Sequence, residues 1–286
     1  MPELTIALAQ CRQSADQDDN RAVILRDLKA AASAGAQIVC FPETQTVGYR
    51  VDVTPTDAPV PVEALAKLHA SVAKRCGELD IACILGTEYP HADGAPAKPY
   101  NSALVIDEHG SILGVHHKVR LTPLDAIAYS PGTSYQTFNL CGVRVGVVIC
   151  YEGFRFAEST RECVRQGAQL VFQPQNNTTR PNDWKIPIHH AMIVTRAAEN
   201  TVWFASCNCA YAEHQNSRSM IVAPDGRIHA RTELKEEQLL VSKIDVDLAT
   251  RAIFLYDTVG CADVLFADTV QHDEFTGTDS PGRDEP

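Results

Sequence analysis

The stretch GVRVGVVICYEGFRFAE, residues 142–158, decides how the rest of the chain is read. Its opening run, GVRVGVVI, is rich in β-branched residues and has the length of a strand buried on both faces. The charged and aromatic YEGFRFAE that follows begins an amphipathic segment. Cys150 stands at the join. The C-terminal end of a buried strand, just ahead of a helix, is where open α/β and layered folds place reactive groups. A cysteine there is either a nucleophile or a small apolar plug.

Upstream, LTIALAQ (4–10) reads as a strand, Asp18 to Gly35 as a helix stopped by the glycine, and QIVCFPE as a second strand. PVEALAKLHASVAKRCGEL places Leu65, Leu68, Val72, Cys76 and Leu79 at helical spacing behind Pro61, and IACILGTEY returns as a strand. SALVIDEHGSILGVHHK predicts a hairpin around Glu108, His109 and Gly110, then a polar loop to Gly132 and a strand pair ending at Cys150. Beyond it come a helix through CVRQG, the strand QLVFQP, a helix from about Asp183 to Asn200, the strand TVWFASCN and a hairpin turning at Pro224, Asp225 and Gly226. Two βαβ-rich halves with interspersed hairpins predict an α/β (α+β layered) fold of one or two mixed sheets covered by helices. The polar, acidic segment from Asp268 reads as a tail, so the expected domain is 1–267 and the tail 268–286.

Composition bounds the function. Among 286 residues, 45% are hydrophobic and 21% charged, as in an ordinary globular protein, and no run approaches a membrane span. A net charge of −11 argues against nucleic acid and anionic membranes as partners. The N-terminus shows no secretory pattern, and the ten cysteines are scattered singly, so reduced thiols and a cytoplasmic location are expected. There is no CxxC pair, so no metal or other cofactor is expected.

Three polar residues follow predicted strands: Glu43 after QIVCFP, Lys118 after ILGVHH and Cys150 after VGVVI. In one sheet system they would converge at one edge. A thiol needs a base to become a thiolate, and an amide carbonyl needs positive charge where its oxygen turns negative; glutamate and lysine supply these. Taken singly, each has a plainer reading: a buried cysteine, a helix-entry carboxylate and a snorkelling edge lysine.

The residues also carry a family resemblance. CFPETQTVGY resembles the glutamate motif of the nitrilase superfamily of carbon-nitrogen hydrolases, HHKVRL its lysine motif and VVICYEGFRFAE its cysteine motif, in that order. RAAENTVWFASCN and SRSMIVAPDGRI resemble its later helix, strand and hairpin, so the match runs from about Leu4 to Asp247. The resemblance implies a four-layer αββα sandwich of two mixed sheets and a triad of Glu43, Lys118 and Cys150. It further implies that Glu43 takes the thiol proton, that Cys150 attacks, and that Lys118 and the backbone N–H of Tyr151 hold the oxyanion. Many members carry a second glutamate six residues before a Pro-Gly. Counting back from Pro131 gives Asp125, one methylene shorter, which is either the replacement or a plain loop residue.

Tyr49, Glu152, Gln175 and Asn176 follow predicted strand ends and are expected to line the pocket. His189 and His190 lack a partner at ligand spacing and read as capping or exposed; Arg155 reads as a structural partner of an internal acid, with binding of a substrate carboxylate as the alternative. The expected function is hydrolysis of a non-peptide C–N bond in a small linear amide or carbamoyl compound through a Cys thioester. Nitrile hydrolysis and a catalytically silent binding member are the alternatives. A small-molecule amide is the expected partner, together with a second copy of the chain in a homodimer or larger homo-oligomer. The resemblance implies that the helices here at about 155–167 and 183–199 form that contact, and Val164, Ile188, Met192 and Ile193 offer apolar surface on them.

Overall fold

The structure, a computed structural model, describes residues 3–50, 52–91, 98–178, 184–211 and 215–252. The expected boundary near Asp268 lies outside the described residues. The first half builds one sheet. β1 (Glu3–Gln10) lies parallel to β2 (Ile38–Cys40), which lies parallel to β3 (Ala82–Tyr89). β4 (Tyr100–Ile106) and β5 (Ile112–His117) then add antiparallel, and β12 (Gln238–Asp245) closes the far edge against β1. The second half repeats the scheme: β7 (Val143–Val147), β8 (Leu170–Gln175) and β9 (Trp203–Asn208) run parallel, flanked by β6 (Thr137–Leu140) and by β10 (Met220–Val222) with β11 (Ile228–Arg231). The two six-stranded sheets face each other: Cys207 Sγ on β9 lies 3.1 Å from the Cys40 carbonyl on β2.

Helices cover the outer faces. Asp16 caps α1 (Gln17–Ser33) by accepting from the Asp18 and Asp19 amides, and α2 (Val62–Leu79) starts behind Pro61. Their apolar stripes, among them Ile24, Leu28, Leu68, Val72 and Cys76, pack with Val39, Phe41, Cys83 and Leu104 in one buried cluster. Truncating Leu28 or Leu68 to Ala there would cost about 2–5 kcal/mol. On the other sheet, α5 (Ala157–Arg165) packs on β7 and α6 (Lys185–Ala198) on β9. The helix expected through CVRQG is α5, and a short α4 (Tyr151–Arg155) precedes it, ending where Phe156 turns extended at φ −125°. This is the four-layer αββα sandwich.

The three strand-end residues meet at one end of the sandwich. Glu43 stands just past β2, Lys118 directly after β5 and Cys150 just past β7. The Glu43 loop crosses β3 in tight contact: a Cβ on Gly86 would sit 1.8 Å from the Pro42 carbonyl oxygen, so only glycine lets the loop lie there.

Candidate active site

Cys150 is buried, and its backbone adopts φ 47°, ψ −105°, a conformation rare for any residue with a side chain. Such strain persists only where the surroundings hold it, and it gathers at functional turns. Here the Cys150 amide donates to the Pro174 carbonyl at 2.8 Å while its carbonyl accepts from the Gly153 amide at 3.1 Å.

Lys118 and Glu43 are both fully buried and directly paired, with Nζ 2.6 Å from Oε1. Asn101 Nδ2 adds a second hydrogen bond to that oxygen at 2.7 Å, and the Asn176 amide donates to Oε2 at 2.8 Å. Lys118 also donates to Asp125 Oδ2 at 2.8 Å. Asp125 opens the single turn α3 (Asp125–Ala128), where its carboxylate accepts from the Thr122 amide at 2.9 Å and from the Tyr49 hydroxyl. Two of the three ammonium protons are thus directed at carboxylates, and the third is available for a substrate oxygen.

These contacts set the charges. Burial raises the Glu43 pKa above the usual carboxylate range; Lys118 opposes this and Asp125 reinforces it. Burial disfavours the Lys118 ammonium, but Glu43 and Asp125 outweigh it and hold the lysine protonated. Asp125 stays ionised despite burial, because Lys118, Tyr49 and the Thr122 amide favour the charged form. Burial and the Glu43 charge push the Cys150 thiol well above its ordinary pKa, with Lys118 opposing. The resting site therefore holds a neutral thiol.

A second buried ion pair supports this layer. Arg50 grips Glu88 through two hydrogen bonds, of 2.6 and 2.8 Å, and the Tyr129 hydroxyl donates to Glu88 at 3.1 Å. Tyr129 stacks on Tyr49 with ring centroids 6.3 Å apart, which fixes the phenol that reaches Asp125.

The other expected residues fall unevenly. Tyr49, Gln175 and Asn176 are buried around the triad, and Tyr151 begins α4 with its ring edge-on to Phe156. Glu152 is placed differently from a pocket-lining residue. One oxygen accepts from the Val119 and Arg120 amides at 2.6 and 3.3 Å; the other takes the Ile149 amide and sits 2.9 Å from His116 Nε2. It ties the lysine loop to the cysteine turn, and a substrate would have to displace one of these donors. His189 is neither capping nor exposed: it lies inside α6, stacked 4.3 Å from Phe154, with burial lowering its pKa to about 4. Arg155, expected to pair with an internal acid, is exposed. Among the described residues, no group of three or more His, Cys, Asp or Glu is placed to hold a metal, and no helix is long and apolar enough to cross a membrane.

Sequence reasoning missed Asn101, Asn177 and Gln13. Asn101 interrupts the apolar strand YNSALVI, which was its one signal. Asn177 Nδ2 lies 3.4 Å from Cys150 Sγ, and Gln13 donates to the Glu43 carbonyl at 2.6 Å. Both sit in polar runs with nothing to mark them.

Fold and site together define a nitrilase-type hydrolase, and the comparisons agree. The carbon-nitrogen hydrolase family model matches residues 5–254, and the chain belongs to that family. It is 31% identical over 264 residues to omega-amidase NIT2-B of Xenopus laevis, covering 87% of this chain and 90% of that one. Human omega-amidase NIT2 is 30% identical over 262 residues, covering 86% and 90%. Among solved structures, the amidase of Nesterenkonia sp. AN1 superposes with a TM-score of 0.75 at 25% identity, covering 89% of this chain and 98% of that chain. A glutamate-to-glutamine variant of that amidase shows acrylamide added to its active-site cysteine, at the same TM-score of 0.75 and 25% identity, covering 89% and 98%. The chain is thus an enzyme of amide C–N hydrolysis working through a cysteine nucleophile.

Proposed function

We propose that the enzyme hydrolyses a small linear ω-amide, with Cys150 as nucleophile, Glu43 as general base and acid, and Lys118 as oxyanion donor. The observation that carries this reading is the buried Lys118–Glu43 pair, Nζ 2.6 Å from Oε1, at the same end of the sandwich as Cys150.

The Cys150 proton passes to Glu43 as the sulfur attacks the carbonyl carbon, and the C=O electron pair moves onto oxygen. The free proton of Lys118 and the Tyr151 amide receive that oxyanion. Collapse breaks the C–N bond, and the nitrogen leaves as ammonia or amine with the proton held by Glu43. A thioester remains. Water, deprotonated by Glu43, attacks it, the acid leaves, and the proton returns to the sulfur. Asp125 fixes the lysine between two carboxylates so that its charge faces the reacting atoms. The named relatives, omega-amidases, support an amide at the end of a short chain as the substrate class.

The test is ammonia release from a panel of short ω-amides, carbamoyl compounds and the matching nitriles. Turnover on ω-amides with none on nitriles is expected; nitriles hydrolysed faster than every amide would refute the assignment.

We also propose a homodimer or larger homo-oligomer built on α6. Val164 and Ile193 are consumed by the chain's own core, but Trp184 and Ile188, one turn apart, stay 65% and 38% exposed. Light scattering should report at least twice 31.2 kDa; a single 31.2 kDa species at micromolar concentration would end the proposal. A cytoplasmic location is proposed on the nine described cysteines, all free thiols, which suit a reducing compartment. Recovery of the native protein in an oxidising compartment would contradict it.

A further inference from the structure

Side chains of β8, β9 and the loop after β8 form a closed circuit that starts at the Cys150 carbonyl and returns to its sulfur. Gln173 Nε2 donates to the Cys150 carbonyl at 2.8 Å. Ser206 Oγ donates to Gln173 Oε1 at 2.7 Å, and Gln175 Nε2 donates to Ser206 Oγ. Asn177 Nδ2 donates to Gln175 Oε1 at 2.7 Å and lies 3.4 Å from Cys150 Sγ. Gln173, Ser206 and Gln175 are all fully buried.

The direction of every bond in this circuit is forced. A backbone carbonyl only accepts, so the Gln173 atom facing it must be nitrogen, and its other amide atom is the acceptor. The single Ser206 proton is spent on that acceptor, so Gln175 must turn its nitrogen to Ser206 and its oxygen to Asn177. Asn177 must then present nitrogen: one proton goes to Gln175 and the second points at the sulfur. The first link depends on Gly153, where a Cβ would stand 2.5 Å from Gln173 Nε2.

We infer that Asn177 is a further catalytic residue: its amide is held as an obligatory donor to Cys150 Sγ and stabilises the thiolate, with Gln173, Ser206 and Gln175 as positioning residues that fix its polarity. The inference rests on Cys150 being the nucleophile. A donor at the sulfur favours the charged over the neutral form, so it acts when the proton moves to Glu43. The Asn177 backbone is anchored independently: its amide donates to Asn208 Oδ1 at 2.9 Å, and its carbonyl accepts from the Asn216 amide at 3.2 Å. Truncating the side chain therefore leaves the loop in place.

The test is iodoacetamide alkylation of the Cys150 peptide, followed by mass spectrometry across pH, in the parent, Asn177→Ala, Ser206→Ala and the double variant. Asn177→Ala should move the midpoint up by about one pH unit, roughly tenfold slower below it, with the limiting rate at high pH retained. Ser206→Ala should shift it less, and the double variant should match Asn177→Ala alone, because the serine acts only through Asn177. A midpoint for Asn177→Ala unchanged from the parent, a rate lowered equally at every pH, or additive shifts would each overturn the inference while leaving Cys150 as nucleophile. A parent whose Cys150 is not alkylated at any pH would overturn the nucleophile assignment itself, and the inference with it.

Discussion

Lys118 Nζ donates to Asp125 Oδ2 at 2.8 Å, which makes this shorter residue a direct partner of the buried lysine. The one-turn helix α3 brings the aspartate backbone close, and the Thr122 hydroxyl accepts from the Asp125 amide at 2.9 Å to hold that turn. Asp125→Asn keeps the shape and removes the charge. We expect kcat/KM to fall roughly 100-fold, by analogy with loss of one preorganised charged contact. Steady-state kinetics within about threefold of the parent, under 1 kcal/mol, would remove Asp125 from the catalytic set.

The pH profile follows from Glu43. It must be ionised to accept the thiol proton, and burial raises its pKa, so kcat/KM should fall on acidification at a pH above the free-glutamate value of about 4.3. The Asp125 charge helps to raise that pKa, so Asp125→Asn should shift the acid limb of the surviving activity to lower pH. A limb that moves to higher pH in this variant would contradict the electrostatic reading.

Much of this arrangement could be read from sequence, and the part that could not has a physical cause. Glu43, Lys118 and Cys150 were readable as candidates because each follows an apolar strand, although β5 joins its sheet antiparallel and β7 lies in the other sheet. Asp125 was reachable only through the spacing to Pro131, since nothing in DAIA distinguishes a lysine partner from a loop residue. Glu152 shows the opposite failure. A carboxylate beside a nucleophile reads as pocket-lining, whereas the chain spends it on backbone amides at the two loops it joins. Asn177 and Asn101 are polar side chains whose meaning comes from partners far away in sequence, and pattern reading does not see such pairings. The split between α4 and α5 likewise lies in the extended backbone of Phe156.

Arg50 and Glu88 test the support beneath the site. Both are buried, so Arg50→Met leaves an unpaired carboxylate and should cost about 3–5 kcal/mol in urea unfolding. The double variant Arg50→Met with Glu88→Gln should recover part of that loss. Stability unchanged in the single variant would show that the pair does not hold the Tyr49 loop.

Among the described cysteines, Cys141 is the only one not buried and so the natural competitor for alkylating reagents. Burial and the neighbouring Glu108 raise its pKa to about 12, so little thiolate forms at neutral pH. Burial and Glu43 raise the Cys150 thiol as well, but the Lys118 ammonium opposes that shift there, so peptide mapping after brief iodoacetamide treatment should show Cys150 modified before Cys141. The reverse order would count against an activated thiol at Cys150.

The central claim, that Cys150 carries the acyl group, is tested most directly by ammonia release from a turned-over ω-amide by the Cys150→Ala variant, with Tm measured alongside. The side chain is small and sits at a strand end, so the fold should persist with a Tm near the parent's. The account predicts that this folded variant releases no ammonia above the uncatalysed background. A folded Cys150→Ala enzyme that still turns over the amide at a substantial fraction of the parent rate would contradict it.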